Sequence, residues 1–376
     1  MRIAIVCYPT YGGSGVVATE LGHALSIIGH EIHFITYKQP VRLDTLNENI
    51  FFHEVFVPEY DLFHYQPYEL ALSSRIVDVV KSYKIDLLHV HYAIPHAYAA
   101  YMAKMMLKDE GFNLPIVTTL HGTDITLVGS HPFYKTAVTF SINNSDYVTS
   151  VSDSLRADTE SLFNINKSIE VIPNFIDVNK HNKQEKPFQR DSIADKNEKI
   201  LIHISNFRPL KRVVDVIKVF ERVQKKIPSK LLMVGEGPER IKAQRYVKRN
   251  QLSNKVLFFG KSNEINELLC YSDIFILPSE KESFGLAALE AMIHKVPVIS
   301  TNAGGLSEVN INGISGFLSE VGDIDNMAKN TIRILSSPSI RKKFQDGAYK
   351  QAIKFDISKI IPLYESVYTR VLKSFI

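Results

Sequence analysis

The sequence predicts an α/β chain made of two successive doubly wound, Rossmann-like domains facing a central cleft. Three observations carry this. Short apolar runs alternate with amphipathic segments along almost the whole chain, the pattern of β-α-β repetition. Several of those runs have no wet face, as strands buried on both sides of a parallel sheet require. The alternation lapses once and then restarts, and 376 residues suffice for two domains of ordinary size.

In the first half the strand candidates are Ile3 to Tyr8, Ile32 to Thr36, Phe51 to Val57, Leu87 to His91, Ile116 to Leu120, Tyr147 to Val151 and Ile169 to Ile172. Helical periodicity fills the gaps. Val17, Leu21, Ala24, Leu25 and Ile28 form one stripe, which Gly29 closes. From Asn179 to Lys199 the chain is polar and charged and contains a proline, so it reads as an interdomain linker or a long surface loop. The rhythm then resumes with strand candidates Ile200 to Ser205, Leu231 to Val234, Val256 to Phe259, Ile274 to Leu277 and Val298 to Ser300. From Asp323 to Ile376 the pattern is helical, with no further strand. The expected domains are 1–175 and 176–355, followed by a terminal helix over 356–376.

Composition narrows the function. Hydrophobic residues make up 45% and charged residues 22%, as in globular proteins. The net charge is only +4 and the basic residues are dispersed, which argues against nucleic acid as a partner and leans toward a small anionic substrate. RIAIVCY lacks the features of a signal peptide. No run reaches the roughly 18 to 20 apolar residues of a membrane span, so stable membrane insertion is not expected. Cys7 and Cys270 lie in apolar contexts and read as small buried hydrophobes, suited to a reducing cytoplasm.

Four loops at strand ends carry candidate chemistry. Gly12-Gly13-Ser14-Gly15 follows the first strand and opens a helix; its glycines allow backbone to approach a ligand, though a plain tight turn explains them as well. It lacks the G-x-G-x-x-G spacing, which weakens a nicotinamide or flavin reading. Ser205-Asn-Phe-Arg-Pro-Leu-Lys-Arg212 gathers Arg208, Lys211 and Arg212 near a helix start, where positive charge is unfavourable without a counter-anion. Such cations could neutralise a diphosphate leaving group. Gly235-Glu-Gly237 ends the next strand, and alone is a weak signal. The fourth loop is the most informative. After Leu277 come Glu282, Ser283, Phe284, Gly285, Leu286 and, later, Glu290. A helix is expected to begin near Ser283 as N-cap and run through Ala291, with Glu290 about two turns along it. The N–H groups of Phe284, Gly285 and Leu286 would then face a phosphate, with a carboxylate on either side for sugar and ribose hydroxyls.

Two further segments, His89-Val-His-Tyr-Ala-Ile-Pro-His96 and His121-Gly-Thr-Asp124, also end strands. Metal binding is the alternative for them, but no third ligand has a diagnostic spacing and no D-x-D motif is present. No cofactor and no metal are called for.

The pattern E-x₇-E after a strand, with P-S-x-x-E-x-F-G, resembles the retaining glycosyltransferases of family 4, which have the GT-B fold. The resemblance spans essentially the whole chain and includes GGSG, Lys211, GEGP and Ala303-Gly-Gly-Leu-Ser-Glu308. The family's usual turn reads G-R-L-x-P-x-K, so Asn206 stands where arginine is usual and Arg208 is the candidate replacement. The resemblance implies that His121, Lys211 and Glu282 are catalytic. It implies donor contacts from Gly13, Ser14, Gly15, Asn206, Arg208, Lys211, Gly235, Glu282, Ser283, Phe284, Gly285, Leu286 and Glu290. Its terminal helix usually crosses back to the first domain. The segments CYPTYGGSGVVATELG, HEIHFIT, HVHYAIPHA, TTLHGTDITLVG and SNFRPLKR resemble the family members that transfer N-acetylglucosamine (GlcNAc) from UDP-GlcNAc to L-malate, the first step of bacillithiol biosynthesis. On that reading malate meets Ser14, Tyr92, Thr119, Lys135 and Arg156 in the N-terminal domain, and a homo-oligomer is allowed. A lipid or cell-wall acceptor is the alternative within the family, with YDLFHYQPY aromatic but not basic. A non-catalytic nucleotide-sugar-binding module is the alternative outside catalysis.

Overall fold

The computed structural model describes residues 1–10, 12–44, 46–59, 61, 64–181, 190–262 and 264–375. The chain forms two units: Met1–Asn174 with Ile357–Ile376, and Phe175–Asp356.

The first unit is built on seven strands, β1 (Arg2–Val6), β2 (Glu31–Thr36), β3 (Ile50–Glu54), β4 (Leu87–His91), β5 (Ile116–Leu120), β6 (Tyr147–Ser150) and β7 (Ile169–Val171). All pair in parallel, in the order β3-β2-β1-β4-β5-β6-β7. β4 and β5 are buried at every position, which is why they read as continuous apolar or histidine–threonine runs. The helix Ile357–Lys373 belongs to this unit and buries Ile360, Tyr364, Val367, Tyr368 and Val371.

The second unit has β8 (Lys199–Ile204), β9 (Ser229–Val234), β10 (Val256–Gly260), β11 (Ile274–Leu277), β12 (Val298–Thr301) and β13 (Gly316–Ser319). These are also parallel, in the order β10-β9-β8-β11-β12-β13. Leu201, Phe220, Leu231, Ile274 and Ile299 are fully buried in its core. β13 corrects the expectation of five strands. Its first residue must be Gly316, because a Cβ there would lie 1.7 Å from Val298 O. That leaves too short an apolar run to be read as a strand. The described parts of 179–199 fall within this unit as the short α-helix Val178–His181, a 3₁₀ turn Arg190–Ser192, a connecting loop and the start of β8; positions 182–189 lie outside the described residues.

Each sheet reverses its strand order once, between β1 and β4 in the first unit and between β8 and β11 in the second. Ligands of open α/β sheets bind outside the carboxyl ends of strands at such points. The loops after β1, β4, β8 and β11 are four of the six singled out above; the other two follow β5 and β9. Among the described residues no helix is long and apolar enough to cross a membrane.

Candidate functional site

In the second unit, the turn after β8 is pinned by Phe207. This residue is fully buried, has φ 41°, and stacks on His203 with ring centroids 6.0 Å apart. His203 bridges Ile276 O and Ser205 Oγ, each at 2.8 Å. Burial lowers its pKa to about 4, so the bridge is neutral. Asn206 and Arg208 flank Phe207 and are exposed. Arg212 binds Asp215 at 2.7 Å, so its charge is already answered. Lys211 turns the other way. Its Nζ donates to Glu282 Oε2 at 2.6 Å, with both side chains largely shielded from solvent.

Glu282 is held by backbone packing. Gly305 N donates to Glu282 O at 2.9 Å. A Cβ on Gly304 would lie 2.2 Å from that same oxygen, and one on Gly305 would lie 2.3 Å from Ser283 O. The Ala303-Gly-Gly segment is therefore the floor on which the Glu282 loop rests. The helix starts later than Ser283. It spans Leu286–Ile293, and its N-cap is Gly285 at φ 99° and ψ 48°. Serine disfavours that left-handed backbone, and a Cβ at Gly285 would meet Leu306 Cδ2 at 2.7 Å. Glu290 consequently lies about one turn into the helix rather than two, and is half-buried. Ala288 N already donates to Gly285 O at 2.9 Å, whereas Leu286 N, at the first helical position, has no acceptor within the helix. Phe284 is buried edge-on to Phe355, 5.5 Å between centroids.

The GEGP glycines have a close-packing reason of their own. A Cβ on Gly235, at φ 123°, would lie 1.8 Å from Ser205 O, and one on Gly237 would lie 2.0 Å from Asn206 O. The loop thus seats the basic turn.

In the first unit, Gly15 packs its α-carbon against the loop after β1, where a Cβ would lie 2.5 Å from Tyr8 O. Gly13 is exposed at the start of the helix Gly13–Ile27, and Ser14 Oγ lies 2.6 Å from Tyr92 OH. Tyr92 follows β4 with φ 88° and packs against Tyr8 and His121, centroids 5.2 and 5.1 Å away. His121 Nε2 is 2.8 Å from His91 Nδ1. Burial lowers the His121 pKa to about 3 and that of His91 well below the usual value, so both rings are neutral. His89 is a core residue. Its nitrogens meet Tyr368 OH at 2.8 Å and Thr119 Oγ1 at 2.7 Å, and Thr119 goes on to Thr149 at 2.7 Å. Thr119 is thus buried with its hydroxyl engaged. Lys135 is exposed on the first turn of the helix Pro132–Asn143, and Arg156 pairs with Asp153 at 2.7 Å.

Asp124 is the residue whose role was least readable. Its carboxylate accepts from Ala93 N at 2.8 Å, Gly122 N at 2.9 Å and His121 N at 3.2 Å, tying the loop after β4 to the loop after β5. Burial raises its pKa to about 6 despite these bonds. An aspartate two residues beyond a strand-end glycine was the available signal.

The description Glycosyltransferase Family 4 matches residues 11–180, and Glycosyl transferases group 1 matches 184–351. N-acetyl-alpha-D-glucosaminyl L-malate synthase of Bacillus anthracis is 46% identical over 99% of this chain and 98% of its own. The chain belongs to the family-4 glycosyltransferases. It is an enzyme of glycosyl transfer, and its two units are those of the GT-B fold. Sucrose-phosphate synthase from Thermosynechococcus elongatus superposes with TM-score 0.80 at 19% identity, each chain covered to 99%. Anabaena HepE, in complex with UDP and glucose, superposes with TM-score 0.81 at 17% identity, over 98% of this transferase and 100% of HepE. Cys270 departs from expectation. It is exposed, because it ends the helix Ile265–Cys270 and turns its thiol to His294 rather than into the core.

Proposed function

We propose that this transferase moves GlcNAc from UDP-GlcNAc to the hydroxyl of L-malate with retention, the first step of bacillithiol biosynthesis. The observation that carries this reading is the 46% identity, over nearly the full length of both chains, to the Bacillus anthracis protein of that activity's name. The second unit takes the donor. Lys211 and the N–H groups of Phe284, Gly285 and Leu286 face the diphosphate, Glu290 the ribose, and Glu282 the sugar hydroxyls. The first unit takes malate, through the hydroxyls of Ser14 and Tyr92 and the cations Lys135 and Arg156, with His121 against the sugar. The bond from the anomeric carbon to UDP breaks as the bond to the malate oxygen forms on the same face. The malate proton passes to the departing diphosphate, whose new charge Lys211 offsets. Neither a metal nor a cofactor enters.

Incubation of the enzyme with UDP-GlcNAc and L-malate should give UDP and a malyl GlcNAc glycoside by mass spectrometry. UDP release without that glycoside would sink the malate assignment and leave glycosyl transfer standing.

A further inference from the structure

The second unit carries a side-chain cluster that sugar transfer leaves unused. Cys270 Sγ lies 3.3 Å from His294 Nδ1. His294 Nε2 lies 3.2 Å from Asn266 Oδ1, and the same oxygen is 2.9 Å from His181 Nδ1. His181 Nδ1 and His294 Nε2 are themselves 3.3 Å apart. One proton arrangement serves all four groups. Asn266 Oδ1 accepts N–H bonds from His294 Nε2 and His181 Nδ1, and the lone pair of His294 Nδ1 accepts the Cys270 S–H. A thiol, a base within hydrogen-bond reach and a third group that fixes the base's tautomer make up an activated nucleophile.

Two surroundings sharpen the point. His294 is the C-cap of the helix Leu286–Ile293. Burial and the adjacent His181 lower its pKa to about 4, so the ring rests neutral with its Nδ1 lone pair facing the thiol. Burial and the Glu267 carboxylate push the Cys270 thiol up, so the resting group is protonated and reaction depends on His294 removing that proton. The other cysteine, Cys7, is buried, and burial pushes its pKa to about 12. It has no comparable base among its described contacts and serves as an internal control.

We infer that Cys270 is a modification site for low-molecular-weight disulfides, with His294 as the general base and Asn266 as the group that positions it. The Cys270 sulfur attacks one sulfur of R–S–S–R, a Cys270–S–S–R bond forms, and RS⁻ departs. The proton goes from Cys270 to His294 and then to the leaving thiolate, so one disulfide is exchanged for another with no further oxidant.

The test is the full-length chain incubated with oxidised glutathione and followed by mass spectrometry with peptide mapping. One adduct is expected, on Cys270. Cys270→Ser should give none and keep its sugar-transfer rate. His294→Ala should slow adduct formation by about 100-fold or more, within the range of general-base assistance, and Asn266→Ala should slow it by a smaller factor. If His294→Ala melts below the assay temperature, His294→Gln decides the point, since it keeps a polar side chain and lacks the base. An adduct chiefly on Cys7, no adduct on Cys270, or an unslowed rate in the folded His294 variant would each overturn the inference.

Discussion

Lys211 and Glu282 lie 71 positions apart in the chain and 2.6 Å apart in space. Each was visible in the sequence as a charge in a strand-end loop. Their pairing was not, because strand order decides which loops meet. The ammonium has three protons and Glu282 accepts one, so Lys211 keeps donors for a phosphate. Lys211→Ala should lower kcat by about 100- to 1,000-fold, the usual cost of losing one transition-state donor, while KM for malate moves only a few-fold. Coupled detection of UDP release measures both. Glu290→Gln should raise the Kd for UDP by about 10-fold, read by titration calorimetry, because a charged acceptor is replaced by a neutral one. If both variants behave as the unsubstituted enzyme, these residues do not hold the donor. Asp124 belongs to the same scale, although its work is structural. Asp124→Ala would strand three backbone N–H groups and should cost about 3 kcal/mol or more, seen as a lower denaturation midpoint.

Glycines decide where several elements begin, and they account for most of the difference between pattern and structure. Serine at 283 has the chemistry of an N-cap, yet the chain waits for Gly285 because Leu306 packs where a Cβ would sit. β13 escaped notice because Gly316 occupies a strand position that any side chain would close. The strands that were legible, β4 and β11 for example, are buried throughout and carry no such interruption. The candidate loops were legible for a related reason: they hold charged or histidine residues directly after apolar runs, a contrast that survives small errors in boundaries. Gly237→Ala tests the packing account. Its Cβ would lie 2.0 Å from Asn206 O, and backbone offers no easy retreat. The variant should lose about 2 kcal/mol or more, a drop in Tm of roughly 4–8 °C for a unit of this size. An unchanged Tm would mean that the two loops do not rest on each other.

Neutral buried histidines set the pH response of the molecule. Burial lowers the pKa of His89 and His121 to about 3, and of His96, His203 and His294 to about 4. Unfolded, each titrates near 6.5. Their contribution is therefore intact above pH 6.5 and is progressively lost as pH falls from there toward 3 to 4. Asp124 acts in the opposite sense. Its pKa of about 6 means that the folded form holds a proton more tightly than the unfolded chain, so its penalty shrinks below pH 6. Five groups outweigh one, and Tm should fall between pH 7 and pH 5 in scanning calorimetry; a flat profile would contradict the burial of these rings. The division of the chain carries a further consequence, for synthesis on the ribosome. Residues Phe175–Asp356 are contiguous and can close their sheet as soon as they emerge. The first unit cannot, since Tyr368, which bonds His89 in its core, is made only after the whole of the second unit. At about 5–20 residues per second, that half waits roughly ten seconds or more with its β4 histidine unpartnered by Tyr368. The unit begun first is completed only after the other.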